Sequence, residues 1–241
     1  MKYGYYNDKE IPKSVELDHK SILNYKTNSH GYRCPEWDPL PEGKKNVVIL
    51  GCSHTFGEGL NDEGWVDQLY TKVDQKRLRF WNLGQPGASA DKIVRILYGC
   101  EKTLFPKIII VCWPVWSRRE RLDSYPQSLT GDNNFLKNEN EHTDCNNFLK
   151  NVFFVEKFAE KTDAKVLHCF AQDVYNIPGD NIFSKTSIKL CWPEWSTMTF
   201  EHEKRVRTTE PSLAKDGIHY GVEHHKKFAE LFYDHFKSKL K

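Results

Sequence analysis

The sequence has no long apolar run, no dominant charge and no paired-cysteine motif, and each lack excludes a class of function. No stretch approaches the roughly 20 consecutive apolar residues that a membrane-spanning helix needs. The opening MKYGYYNDKE carries no apolar leader core, so a cytoplasmic protein without a membrane span is expected. Lys and Arg number 35 against 33 Asp and Glu, a formal net charge of +2 over 241 residues. A nucleic-acid-binding face would show as a distinct basic excess, so no nucleic-acid partner is expected. The Lys-rich C-terminal end is the one local excess, and a solvated helix face accounts for it. The seven cysteines are odd in number and include no C-x-x-C pair. They read as reduced thiols, not as a disulfide framework or a zinc site, and no metal is expected.

What the sequence does have is an alternation of strand-like and helix-like segments. Val47–Leu50 is a short, continuously apolar run, as for a strand covered on both faces. Residues 63–73 carry Trp65, Leu69 and Val73 at helical spacing, and residues 78–83 read as a second strand. Residues 91–104 form a predicted helix with Ile93, Ile96, Leu97 and Cys100 on one face and Asp91 as its N-cap. Residues 107–113 are the strongest strand, 148–161 an amphipathic helix and 164–170 a fourth strand. Residues 222–240 close the chain as a helix with Phe228, Leu231, Phe232, Phe236 and Leu240 on one side. Alternating β and α elements imply a mostly parallel sheet with helices on both faces, and ligands of such sheets sit at the carboxyl ends of the strands.

Three segments break the rhythm. Residues 1–45 are expected to wrap the core as an N-terminal arm on a single domain spanning 46–241. Residues 124–147 and 176–212 read as long loops, a common form for lids and binding segments. The hexapeptides Cys112–Ser117 (CWPVWS) and Cys191–Ser196 (CWPEWS) nearly repeat without any match in their flanks. They are either coincidental or a pair of turns flanking one pocket.

The first predicted strand runs straight into Gly51-Cys52-Ser53-His54-Thr55-Phe56-Gly57-Glu58-Gly59. A phosphate-binding P-loop needs a lysine after its last glycine, and none follows. Glycines at 51, 57 and 59 do not make the G-x-G-x-x-G dinucleotide fingerprint, and the G-x-S-x-G elbow fails because residue 55 is threonine. What remains is a serine exposed just past a strand end, where free backbone N–H groups can stabilise an oxyanion. Cys52 is a less suitable nucleophile, because the residue before Ser53 is expected to face the core. His54 is expected to point away from Ser53, and His224 and His225 to lie at the surface or cap a helix. A serine nucleophile needs a base and an orienting acid, and Asp216 and His219, three apart before the last helix, supply both types.

With these blocks in order, the chain resembles the SGNH (GDSL-type) hydrolases. Ser53 falls at the nucleophile of the first block. Asn82-Leu83-Gly84-Gln85-Pro86-Gly87 matches the second block, N-x-G-x-x-G, and Asp216 with His219 matches the final D-x-x-H. Thr27–Arg33 (TNSHGYR) resembles a segment preceding the first strand in some members. The resemblance covers about residue 25 to the end. It implies a flavodoxin-like three-layer α/β/α sandwich and a Ser53–His219–Asp216 triad. It also implies an oxyanion hole from the N–H groups of Ser53 and Gly87, ester hydrolysis through an acyl-enzyme, and no cofactor.

One block departs from the family. Its third block supplies an asparagine to the oxyanion hole, whereas this chain reads Cys112-Trp113-Pro114-Val115-Trp116-Ser117-Arg118-Arg119-Glu120. Losing one such donor costs about 10²–10³ in turnover, so activity is expected to be weak unless Ser117 or Arg118 substitutes. Three functions stay open: an esterase, a degenerate binding module of the same fold, and an acyltransferase using the same triad. Trp113, Trp116 and Trp192, with Ser117 and Arg118, are the candidate substrate-binding residues. A small-molecule or glycan ester is the expected substrate, and stacking of tryptophans on sugar rings would favour O-acetyl groups of a glycan, whereas no long aliphatic run suggests a lipid ester. The oligomeric state is not legible.

Overall fold

A computed structural model describes residues 25–37, 43–119, 141–171, 213–217 and 219–241. The apolar runs form four strands: β1 (Lys45–Gly51), β2 (Leu78–Asn82), β3 (Ile108–Trp113) and β4 (Lys165–Phe170). They lie in the order β2-β1-β3-β4, and every pairing is parallel. Val47, Val48, Ile49 and Leu50 are all fully buried, which requires cover on both faces of the sheet.

The cover comes as two pairs of helices. Helix α1 (Ser53–Phe56) is a single turn, and α2 (Trp65–Tyr70) packs on α5 (Val222–Phe236) through Trp65 against Phe228, with ring centroids 4.7 Å apart. Helix α3 (Ala90–Leu104) packs on α4 (Glu141–Thr162), where Tyr98 meets Phe158 edge-on at 5.0 Å. The crossover from β1 to β2 and the return from β2 to β3 run in opposite directions along the sheet. Right-handed crossovers therefore place α2 and α3 on opposite faces, giving three layers, α/β/α. The reversal falls between β1 and β3, the position where sheets of this class open a crevice at their carboxyl ends.

Two sets of buried polar groups in this core are paired, which offsets the cost of burying them. Asn46, fully within the sheet, accepts from Trp81 Nε1 at 2.6 Å and donates to the carbonyl of Leu104. Trp113 Nε1 donates to His168 Nδ1 at 2.9 Å, and His168 Nε2 meets Glu156 Oε1 at 2.8 Å.

Helix boundaries differ from the sequence expectation in four places, the last being the closing helix, which ends at Phe236 and not at 240. Ser89, not Asp91, caps α3, its Oγ accepting from Lys92 N–H at 3.2 Å. Asp91 lies in the first turn and accepts from Asn147 and Asn151 of α4 at 3.0 and 2.9 Å, so the α3–α4 interface has claimed it. Helix α4 begins at Glu141, inside the stretch expected to be a loop from 124 to 147. Helix α2 is shorter than expected because Gly64 is its N-cap and the chain turns after Tyr70. The expected loop at 176–212 and the first 24 residues of the expected arm lie outside the described residues.

Ile110 is registered between Ile49 of β1 and Leu167 of β4 and is fully buried. Ile110→Ala should destabilise the protein by about 2–5 kcal/mol in urea unfolding. A loss under about 1 kcal/mol would contradict its place at the centre of the sheet.

Candidate active site

Beyond Gly51 the chain turns at once into α1, with Cys52 extended at the N-cap and Gly57 left-handed (φ 78°) at the C-cap. A single helical turn does not hold itself, so neighbouring loops fix this one. Asn82 Nδ2 donates to the carbonyl of Thr55 at 2.9 Å, while its Oδ1 accepts from Gly84 N–H at 3.0 Å. Gly84 lies so close that a Cβ there would stand 2.5 Å from Phe56 N and 2.7 Å from the Thr55 carbonyl carbon. Ser53 is thereby set at the first position of α1, where the backbone N–H has no intrahelical acceptor.

The other side of the turn is gripped by residues 25–37. Arg33 donates through Nη1 to the carbonyls of Gly57 at 2.8 Å, Leu60 at 3.0 Å and Phe56 at 3.3 Å, and through Nη2 to that of Asn61. Tyr25 Oη accepts from Gly59 N–H at 2.7 Å. The TNSHGYR segment is itself ordered by Asn28, whose Oδ1 accepts from the N–H groups of His30 and Tyr32.

The acid–base pair arrives on the loop before α5. A bridge between Leu213 and Tyr220 closes that loop, and Lys215 N–H donates to Gly59 O at 3.0 Å, docking it on the Arg33-gripped segment. Asp216 Oδ2 accepts from His219 Nδ1 at 2.7 Å, and its Oδ1 accepts from the His219 backbone N–H at 3.0 Å. An ionised carboxylate only accepts, so Nδ1 carries a proton and Nε2 is the functional nitrogen. That nitrogen faces Glu58 Oε2 at 3.5 Å, and no hydrogen bond joins it to Ser53.

His54 packs beside the acid–base pair. Its ring stacks on Tyr220 at 5.2 Å and meets the His219 ring edge-on at 5.7 Å, walling the base. Burial, reinforced by His219, His225 and Arg118, pushes its pKa down to about 3, so it is neutral. His225 is buried too, accepts Trp65 N–H through Nδ1 at 3.0 Å, and is held neutral at about 3 by its burial. It caps α2 from α5, the second of the two places expected for it, and is not at the surface. Burial raises the Cys52 thiol pKa, which disfavours the thiolate that a cysteine nucleophile needs.

Gly87 (φ 68°) is exposed, with open space where a Cβ would lie. Arg118 Nη1 reaches Ala88 O at 3.4 Å, its Nε is buried without a hydrogen-bond partner among the described residues, and its charge acts on both Cys52 and His54. Arg118 therefore lies against the loop carrying Gly87, with its charge felt at the residues either side of Ser53. Trp113 is a correction: it is 1% exposed, in the core against Phe148 and His168, and cannot line a substrate groove. Trp116 is half-buried and packs on the core, Ser117 is half-buried, and Trp192 lies outside the described residues. Sequence reasoning did not single out Glu58, Arg33 or Tyr25 as contributors to the site. Each acts through a loop contact that no local pattern encodes.

Two outcomes follow from this geometry. Gly84→Ala forces a methyl into backbone and should destabilise the fold by about 1–3 kcal/mol, more than Gly87→Ala, which has room but a left-handed φ. Urea midpoints compare the two, and equal losses would contradict the close approach. Stability should also fall as pH drops from 6.5 towards 3, because the unfolded chain then binds protons at His54 and His225 that the folded chain refuses. Each contributes a slope of up to about 1.4 kcal/mol per pH unit, fully recovered above the unfolded value. His225→Gln should shrink the loss between pH 7 and 5 in urea unfolding, and an unchanged loss would contradict the assignment.

No family model and no curated protein matches the sequence. Solved structures do match its fold. TesA aligns at a TM-score of 0.55 and 16% identity, over 82% of this chain and 100% of that one. A member of the lipolytic protein G-D-S-L family from Veillonella parvula aligns at 0.52 and 14%, over 80% and 98%. An acetyl xylan esterase, AlAXEase, aligns at 0.50 and 15%, over 79% and 98%. The parallel sheet, its strand order and these likenesses give the chain an SGNH hydrolase-type fold.

Proposed function

We propose that the protein is a serine hydrolase that cleaves a carboxylic ester. The observation that carries this reading is the Asp216–His219 pair, hydrogen-bonded at 2.7 Å and docked through Gly59 on the segment that follows Ser53. Asp216 fixes the imidazole tautomer and stabilises its charged form. Ser53 Oγ attacks the ester carbonyl as His219 Nε2 takes its proton, and the N–H groups of Ser53 and Gly87 bind the tetrahedral oxyanion. The imidazolium then protonates the departing alkoxide, leaving an acyl-enzyme. A water activated by the same imidazole releases the acid and restores Ser53.

Arg118 takes the place of the missing third-block asparagine in this scheme. Its contact with Ala88 and its influence on the residues either side of Ser53 support a guanidinium directed at the developing negative charge. For the substrate we propose an O-acetyl group of a glycan. The support is the fold shared with an acetyl xylan esterase, and no longer the tryptophans, since Trp113 belongs to the core.

Hydrolysis of p-nitrophenyl acetate and of acetylated xylan by wild type, Ser53→Ala and Arg118→Ala tests the scheme. Ser53→Ala should fall to background and Arg118→Ala should lose about 10²–10³ in kcat. Equal rates for wild type and Ser53→Ala would leave a binding module of the same fold. Acyl transfer to added alcohols in preference to water would make the enzyme an acyltransferase.

A further inference from the structure

Four backbone carbonyls of the segment after Ser53 face one point, and Arg33 fills it. Its guanidinium donates through Nη1 to Gly57 O at 2.8 Å, Leu60 O at 3.0 Å and Phe56 O at 3.3 Å, and through Nη2 to Asn61 O. Carbonyl oxygens turned towards one another repel, so residues 56–61 keep this shape only while a cationic donor stands among them. The Arg33 side chain is 7% exposed, and its guanidinium carbon lies 4.9 Å from the Tyr25 ring centroid and 5.4 Å from that of Phe56. Its ion pair with Asp62 at 3.3 Å ends on an exposed carboxylate and holds little by comparison.

The shape matters because the loop of the acid–base pair is seated on it. Gly59 O accepts from Lys215 N–H at 3.0 Å, and Gly59 N–H donates to Tyr25 Oη at 2.7 Å. A Cβ on Gly59 would stand 2.5 Å from Ala214 Cβ and 2.7 Å from Asp216 Oδ2, so this backbone lies directly against the carboxylate that holds His219. Ser53, by contrast, is set from the side of β2 by Asn82 and Gly84. Nucleophile and base thus owe their places to separate contacts, and those of the base run through the Arg33-held carbonyls.

We propose that Arg33 is a positioning residue of the site, which sets the Asp216–His219 pair against the turn carrying Ser53 by holding residues 56–61 in shape. This rests on the reading of Ser53 and His219 as nucleophile and base. Arg33 hydrogen-bonds to none of the three, and acts on them through the backbone between. Its own segment is anchored to the second block too, where Gln85 Nε2 donates to Gly31 O at 3.2 Å. Residues 25–37 therefore join the loop that carries Gly87 to the loop that seats Asp216.

Arg33→Met removes the cation, and Arg33→Lys keeps a charge without the planar fork that spans several carbonyls. In hydrolysis of p-nitrophenyl acetate, Arg33→Met should lose about 10²-fold in kcat/KM and Arg33→Lys less, as for a base displaced by about 1 Å. Hydrogen exchange followed by mass spectrometry reads the same displacement without turnover. Peptides carrying Gly59 and Lys215 should exchange faster in Arg33→Met, while those of β1 and β3 stay as protected as in wild type. Exchange that quickens across the sheet as well would make Arg33 a general stabiliser and overturn the proposal. A kcat/KM within about twofold of an active wild type would overturn it too. If Arg33→Met does not fold, Arg33→Lys carries the comparison, and unchanged exchange at Gly59 and Lys215 would overturn the proposal there. Local quickening in a protein whose wild type hydrolyses no ester would uphold the seating of the loop by Arg33 and remove the hydrolase reading instead.

Discussion

Everything at the candidate site depends on how closely the turn after β1 approaches the loop after β2. One helical turn cannot stand alone, and here it is pinned by a single asparagine and the absence of a side chain at Gly84. Asn82 answers a carbonyl of α1 and an N–H of its own loop at once. The turn carrying Ser53 and the loop carrying Gly87 therefore behave as one piece, and the spacing between a nucleophile and an oxyanion donor becomes a property of the fold.

The acid–base pair is positioned by a second set of contacts. Arg33 spends its guanidinium on the carbonyls of residues 56–61, which would otherwise be a loop without internal order. That loop carries Glu58 and receives the Asp216 loop through Lys215 and Gly59. The segment ahead of β1 thus acts on the far end of the chain while it also packs Tyr32 into the core. His54 and His225 are driven neutral by burial and serve as wall and cap, while His219 faces the carboxylates of Asp216 and Glu58.

The sheet was the most legible part of the sequence, because continuous apolar runs such as Val47–Leu50 and Ile108–Val111 have no other stable home than a doubly covered parallel strand. Ser53, Asp216 and His219 were legible as motif positions, and the structure joins the last two by a hydrogen bond. Asp91 misled because a capping residue and an interface residue look alike before α4 is placed against α3. Trp113 misled because a tryptophan with its N–H on a buried histidine leaves no trace in sequence that separates it from one at a pocket mouth. Glu58 lay inside the quoted motif and passed unnoticed. Its meaning comes from a left-handed glycine on each side and an arginine 25 residues earlier, and only the folded chain brings these together.

The central claim is that His219 activates Ser53 within this geometry. Treatment of the native protein with a fluorophosphonate, followed by mass spectrometry of the peptides, tests it most directly. The account predicts one adduct, on Ser53, formed by the native wild type and lost both on prior unfolding and in His219→Ala. An adduct formed equally well in His219→Ala, or none on the native protein, would contradict it.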